Sequence, residues 1–409
     1  MMGGVPVETR RASATRSWQL ASVILVVAIA VTASACSNGS HDSSFAASTA
    51  APTATEKPPS SIGAGEGSLR LIAWDGYAQR QWVRPFEQRT GCMVHVSYAA
   101  TSSKMVSLMG HGGGGRYDLV SASGDADQQL ISSGDVKPVN IALIPSWKDF
   151  RDFLRSPSFN TVKGVHFGTS LQFGPNILLS STKSLATAPA SWRVLYSTRF
   201  AGKITVPNNP IQIADAALYL REAKPALDIT DPYELNQQQF NAAVQLLTAQ
   251  KPLVARYWKL ARDEIRLFQS GKAVVGPAWP YQRVALQQDG VAVKDSIPKQ
   301  GATGWADSWL LASKAPHPNC AYKWMAYVSS PKVQAEQAIS FGETPANPLA
   351  CPIMDQLQPG SCAGYLADKP DAYFRSIRFW KLPTSLCDNG RTDCVPYSRW
   401  TAAWSKIAG

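Results

Sequence analysis

The sequence predicts an α/β protein built as two lobes, and three observations predict it. Its 409 residues exceed what one typical core accommodates and suffice for two. Near the start, short apolar alternations and helix-period stretches follow one another in β-α-β-α-β order, which implies a parallel sheet with right-handed crossovers. A second set of strand and helix signals occupies the middle of the chain, with no repeat period relating it to the first.

Leu69–Trp74 alternates like a strand. Gln79–Thr90 then places Trp82 and Phe86 one helical turn apart, with Gly91 positioned to end the helix. Met93–Tyr98 reads as a second strand and Thr101–Met109 as a helix, broken by the run Gly112–Gly115, read as a flexible turn. Tyr117–Ala122 is the third strand, and Asp125–Ser133 a helix closed by Gly134. In the middle set, Ile204–Pro207 reads as a strand, and Ile213–Glu222 and Asn236–Ala249 as helices. Phe240, Val244 and Leu247 share one face of the latter. Arg262–Ser270 is helical, Ala273–Gly276 returns to strand, and Ser308–Leu311 and Asn319–Ser329 add a last strand and an amphipathic helix.

The first 35 residues set the compartment. Three arginines, Arg10, Arg11 and Arg16, precede an apolar run, Val23–Val31, too short for the roughly 20 residues that span a bilayer. This is an export signal. It ends Ala33-Ser34-Ala35-Cys36, which resembles a bacterial lipobox with Ala33 where leucine is usual. Acylation would make Cys36 the mature N-terminus, whereas simple cleavage after the Ala-x-Ala site would release the chain. The lipoprotein is the preferred reading, with Sec or twin-arginine export left open. Residues 36–67, dense in Ser, Thr, Ala, Pro and Gly, then read as a flexible tether.

The formal charge is +11, and removing residues 1–35 lowers it to +9. The basic residues are scattered, with no nucleic-acid-reading motif, so they form a solvated surface suited at most to an anionic membrane. Six further cysteines in an exported chain read as disulfides. Spacing favours Cys351–Cys362 and Cys387–Cys394, which leaves Cys92–Cys320. No C-x-x-C pair supports a metal site, and neither metal nor cofactor is expected.

Five segments together resemble the spermidine/putrescine-type solute-binding proteins of ATP-binding-cassette importers. Leu71-Ile72-Ala73-Trp74-Asp75-Gly76-Tyr77, followed by Phe86-Glu87-Gln88-Arg89-Thr90-Gly91, resembles the family's opening strand, its N-W-x-x-Y ligand loop and its F-E-x-x-T-G turn, with Ala73 in place of the Asn. Tyr117-Asp118-Leu119-Val120-Ser121-Ala122-Ser123, Thr230-Asp231-Pro232, Gly271–Trp279 and Gly304-Trp305-Ala306-Asp307 follow in the family's order. The resemblance implies a type II periplasmic-binding-protein architecture, with ligand enclosed between two lobes by hinge closure. Lobe one would be 69–170 plus 308–409 and lobe two 171–307, with Cys92–Cys320 stapling distant parts of lobe one.

It also implies a site. Trp74, Tyr77, Trp279 and Trp305 match aromatic walls, Asp307 the central amine anchor, and Ser123 a serine at a strand's carboxyl end. Asp75 suits either ligand contact or a cap. Trp82 and Trp324 read as core. Departures are specific: the family's D-x-x-E pair appears as the amides Asn209 and Gln212, two of its aromatics as Asp125 and Glu343, and a neutral residue as Lys381. The expected ligand is a polyamine or related amine. A thiamine-like cation, or an amino-acid-like zwitterion with Lys381 facing its carboxylate, is the alternative. Expected partners are permease subunits and, through the lipid, the outer face of the cytoplasmic membrane, for a monomeric, non-enzymatic carrier.

An enzyme is the competing class. Ser180-x-x-Lys183 matches a serine–lysine start without its companion motifs, and His111-Gly112-Gly113-Gly114 has no G-x-S-x-G elbow to serve.

Overall fold

The computed structural model describes residues 57–99 and 101–409; the export signal, Cys36 and the tether up to residue 56 lie outside the described residues. The main strands, in chain order, are β1 (Ser68–Ala73), β2 (Met93–Tyr98), β3 (Leu119–Ser123), β4 (Gly168–Pro175), β5 (Ile177–Ser181) and β6 (Ile204–Pro207). They continue as β7 (Val254–Trp258), β8 (Val275–Ala278), β9 (Val293–Ser296), β10 (Ala302–Leu311), β11 (Thr344–Pro345) and β12 (Ile377–Phe379).

Among the described residues these form two larger sheets. The first runs β11-β4-β10-β3-β1-β2, with β12 paired to β10; the second runs β9-β5-β8-β6-β7. Strands β1, β2 and β3 are parallel, as the β-α-β-α-β order requires. Every residue of β10 is buried, because helices cover both faces of the first sheet. Leu71, Trp82, Phe86, Trp309 and Trp324 pack on one face; Ile72, Val120, Leu130 and Leu310 pack on the other.

Two expectations about boundaries are corrected. Gly168–Pro175 and Ala302–Leu311 both lie in the first sheet, so the chain changes sheets at Asn176 and between Ser296 and Ala302, not at 171 and 307. The C-terminal helix Tyr397–Ala408 does not join lobe one. Its Trp400, Trp404 and Ile407 are buried with Val206, Phe240 and Leu247 of the second lobe, and Trp404 Nε1 donates to Asn208 Oδ1 at 2.8 Å. The chain therefore crosses a third time after Phe379.

The end of the expected tether is also pinned. Glu66 Oε1 accepts from the Asn319 backbone N–H at 2.8 Å, and its Oε2 accepts from Cys320 N–H at 2.9 Å, capping helix Pro318–Val328. Gly63 N–H donates to Asn319 Oδ1, and Asn140 Nδ2 donates to Pro59 O. Residues 59–67 therefore lie along the body. The run Gly112–Gly115 is a tight left-handed turn with positive φ at all four glycines. Disulfides join Cys92–Cys320, Cys351–Cys362 and Cys387–Cys394.

Candidate functional site

Strand pairing brings the site together. Asp307 on β10 lies opposite Ser123 of β3 on one side and Gln172 of β4 on the other. β11 pairs with β4 through Pro345 and Gln172, which carries Glu343 to the same spot. Glu343 is aimed inward by Gly342, which ends helix Pro331–Phe341 at φ 81°, a left-handed turn that suits glycine. Tyr77 comes from the loop after β1, at the carboxyl end of the parallel strands where open sheets place ligands.

These side chains form one hydrogen-bonded set. Ser123 Oγ donates to Asp307 Oδ1 at 2.5 Å. The Tyr77 hydroxyl lies 2.5 Å from Asp307 Oδ2 and 2.6 Å from Glu343 Oε2. The Gln172 amide, with its nitrogen toward Glu343, donates to Oε2 at 2.5 Å and accepts from Ala338 N–H. Asp307 and Glu343 are 3% and 2% exposed, and Tyr77 is fully buried. Asp125 and Asp127, in the first turn of helix Gly124–Ser132, add two more buried carboxyls. Asp125 accepts from Ser102 Oγ at 3.2 Å, while neither oxygen of Asp127 has a hydrogen bond of ordinary geometry.

Burial dominates the electrostatics. It pushes Asp307 up to about 7, against the hydrogen bonds from Ser123 and Tyr77, with the Asp125 charge adding to the rise. It pushes Asp125 up to about 6. Glu343 is raised well above the carboxylate range by burial and by Asp307's charge, and Asp127 by burial, with Ser308 opposing. The ion pairs among the described residues include none of these four.

The aromatic residues stand beside this set. Trp305 packs its ring on Gly174, where a Cβ would come within 2.6 Å, and its buried Nε1 has no partner among the described residues. Trp279 meets Trp305 edge-on at 6.4 Å and Trp258 at 5.1 Å, and donates from Nε1 to Asn176 at the crossing between sheets. Trp74 is half-buried with Nε1 unpartnered, and Asp75 is exposed. Trp82 and Trp324 are fully buried in the core of lobe one.

Lys381 is not free to face a ligand carboxylate. Its Nζ bonds Asp231 at 3.3 Å, Asp388 at 2.7 Å and Glu234. Burial works against its charge, but the bonds to Asp388 and Glu234 and the charge of Asp231 outweigh that and raise it. Asn209 is half-buried, and its Oδ1 accepts from Ile211 N–H within its own turn. Gln212 donates to Asp215 Oδ2 at 2.7 Å. Asp215, which also accepts from Thr303 Oγ1 on β10 at 2.5 Å, is one of two buried acids among the described residues of lobe two, with Glu264, and burial pushes it up to about 7. Sequence reasoning missed Asp215, Asp127 and Gln172. The signal for Asp215 was its place one helical turn after Gln212; that for Asp127 was its place in the same first turn as Asp125.

A family model described as bacterial extracellular solute-binding protein matches residues 81–356, two thirds of the chain. The chain belongs to that family. This solute-binding protein is 23% identical over 303 residues to a putrescine/cadaverine-binding protein of Pseudomonas aeruginosa, covering 70% of this chain and 81% of that one. Among solved structures, a lipoprotein of Treponema pallidum, Tp0655, superposes with a TM-score of 0.66 at 16% identity, over 83% of this chain and 99% of that one. An A. tumefaciens binding protein in complex with glucopine superposes at 0.64 and 16% identity, over 84% and 100%. These likenesses establish the type II periplasmic-binding fold for the solute-binding protein. No described helix is long and apolar enough to cross a membrane.

Proposed function

We propose that the chain captures a small organic amine, a polyamine such as putrescine or spermidine or a related diamine, and delivers it to the permease of an ATP-binding-cassette importer. The observation that carries this is the buried set Asp307, Glu343 and Asp125, which forms no ion pair with a cation among the described residues, while Lys381, the cation the sequence offers to the site, is already held by three carboxylates. Buried carboxyls without a cation favour a cationic guest over an anionic or zwitterionic one. Trp305, Trp279 and Trp74 supply apolar walls for methylenes, with cation–π attraction worth about 0.5–2 kcal/mol. The amine-binding relatives support the same class. The chain acts as a carrier rather than an enzyme, exported and held to the outer face of the membrane through acylated Cys36.

A thermal-shift panel of polyamines, amino acids, thiamine and sugars tests this. A ligand at a hundredfold excess over its Kd adds about 2.7 kcal/mol of stability. Diamines are expected to raise the melting temperature and Asp307→Ala to abolish the rise. A response confined to amino acids or sugars would sink the reading.

A further inference from the structure

Two carboxyl groups share one phenol oxygen in this site, and proton counting then has a consequence. Asp307 Oδ2 and Glu343 Oε2 lie 2.5 and 2.6 Å from the Tyr77 hydroxyl oxygen. A phenol carries a single proton and can donate it once. Tyr77 donating to Asp307 leaves the 2.6 Å contact to Glu343 without a hydrogen unless Glu343 supplies one. Two ionised carboxylates would hold three oxygens at hydrogen-bond distance with one proton among them, in a buried setting where that repulsion is costly. Protonated Glu343 completes the chain: it donates to Tyr77, Tyr77 donates to Asp307, and Gln172 donates to Glu343.

We propose that Asp307 and Glu343, bridged by Tyr77, form a proton-exchange seat: before capture the pair holds one proton, and seating a primary ammonium expels it. Both carboxyl oxygens lie within 2.6 Å of the same atom, so no more than twice that separates them and one ammonium reaches both. It brings up to three donors of its own, replacing the expelled proton in the hydrogen bonding. The exchange conserves net charge, since the pair carries one negative charge before and the pair with its guest ammonium carries one after, and the added carboxylate and ammonium are buried as an ion pair.

The surrounding groups reinforce this. Ser123 faces Asp307 from β3, Asp125 and Asp127 approach from helix Gly124–Ser132, and Gln172 faces Glu343 from β4. Phe341 lies against Tyr77, and Tyr281 lies against Gly342. No lysine, arginine or histidine among the described residues hydrogen-bonds or ion-pairs with either carboxyl. Both groups are shifted toward protonation by burial, as a shared proton needs. A primary amine resembles lysine, with a pKa of about 10.4, and does not titrate near neutrality, so any proton released comes from the protein.

This rests on the amine reading, and the experiment separates the two. Titration calorimetry with putrescine at pH 7, in phosphate and in Tris, measures protons released from the difference in heats. Close to one is expected for the wild type and near zero for Glu343→Gln, whose amide imitates the protonated acid. Wild-type affinity should rise about tenfold per pH unit through the neutral range and flatten in the variant. Equal wild-type heats in the two buffers, or an undiminished release in Glu343→Gln, overturns the exchange while leaving amine capture standing. No heat with any amine sinks capture and the exchange together. Infrared spectra without ligand give a second readout: the protonated-carboxyl band should lose intensity in Glu343→Gln, and an unchanged band overturns the shared proton. The wild-type heats decide alone if the variant does not fold.

Discussion

Two clusters of carboxyl groups sit in this molecule and are built on opposite principles. Around Lys381, the carboxylates of Asp231, Glu234 and Asp388 meet a protein ammonium, and the group reaches solvent, with the Asp388 side chain 79% exposed. Around Asp307, the carboxyls of Glu343, Asp125 and Asp127 meet hydroxyls and an amide but no cation among the described residues, and all are at most 4% exposed. The first cluster ties the segment after β12 to the Asp231–Glu234 turn and to the loop closed by Cys387–Cys394, so its charge is spent on structure. The second has no such ion pair among the described residues, which is what the proposed amine would supply. Sequence position alone ranks Lys381 as a ligand contact; hydrogen-bond partners show that it is already engaged.

The largest expected difference between the clusters is in binding. Asp307→Ala removes the carboxylate that Ser123 and Tyr77 hold in place, and truncating one partner of a buried charge pair costs about 2–5 kcal/mol. Amine affinity should therefore fall by at least about thirtyfold, read by calorimetry. Lys381→Met should leave that affinity within about threefold and instead lower stability by about 1–2 kcal/mol, after discounting for solvent at Asp231 and Asp388. Urea unfolding measures it. If Lys381→Met abolished binding while stability held, Lys381 would serve the ligand and not the fold.

The two clusters should also part in their response to pH. Asp125, Asp307, Asp215 and Glu264 have values raised to about 6, 7, 7 and 8, so the folded chain holds more protons than the unfolded chain between about pH 4 and those values. Raised carboxyls stabilise the fold below their unfolded pKa, and that contribution is lost as pH rises through the folded value. Without ligand, the melting temperature should therefore fall from pH 5 to pH 8. Lys381, raised above an already alkaline value, contributes a constant amount across that window and no slope. Amine affinity should run the other way and climb with pH. A melting temperature that rose from pH 5 to 8 would show that these carboxyls ionise freely in the fold.

What the sequence made legible follows the range of the interactions. Ser123 ends β3 and Asp307 lies in the middle of β10, both inside quotable motifs, and strand pairing sets them opposite each other. Lys381 was misread because its partners Asp231 and Glu234 lie about 150 residues away, where only the third crossing brings them close. Gln172 became visible only through register with Asp307 and Pro345. The amides Asn209 and Gln212 read as a lost acidic pair, yet the acid sits at Asp215, on the same helix and cross-linked to Thr303. β7 escaped notice because Val-Ala-Arg-Tyr-Trp shows neither clean alternation nor a continuous apolar run. The C-terminal helix, placed on the wrong lobe, carries an apolar stripe that says it packs but not on what.

The smallest effect lies with the aromatic wall and decides what kind of guest the acidic cluster takes. Trp305 is 6% exposed, packs its ring on Gly174 and leaves its Nε1–H without an acceptor among the described residues. If the guest is an alkyl diamine, the ring offers only its face. Trp305→Phe then keeps most of the apolar contact, and the loss should be about 1 kcal/mol, roughly fivefold in Kd for putrescine. If the guest carries a hydroxyl or carbonyl beside its amine, the indole N–H becomes a hydrogen-bond donor to it. Removing that donor would strand a buried acceptor at about 1–3 kcal/mol beyond the lost contact. Calorimetry with putrescine and with an amino alcohol of equal length distinguishes the two cases. Equal small losses for both guests assign Trp305 to packing, and a larger loss for the amino alcohol alone assigns the indole N–H to recognition.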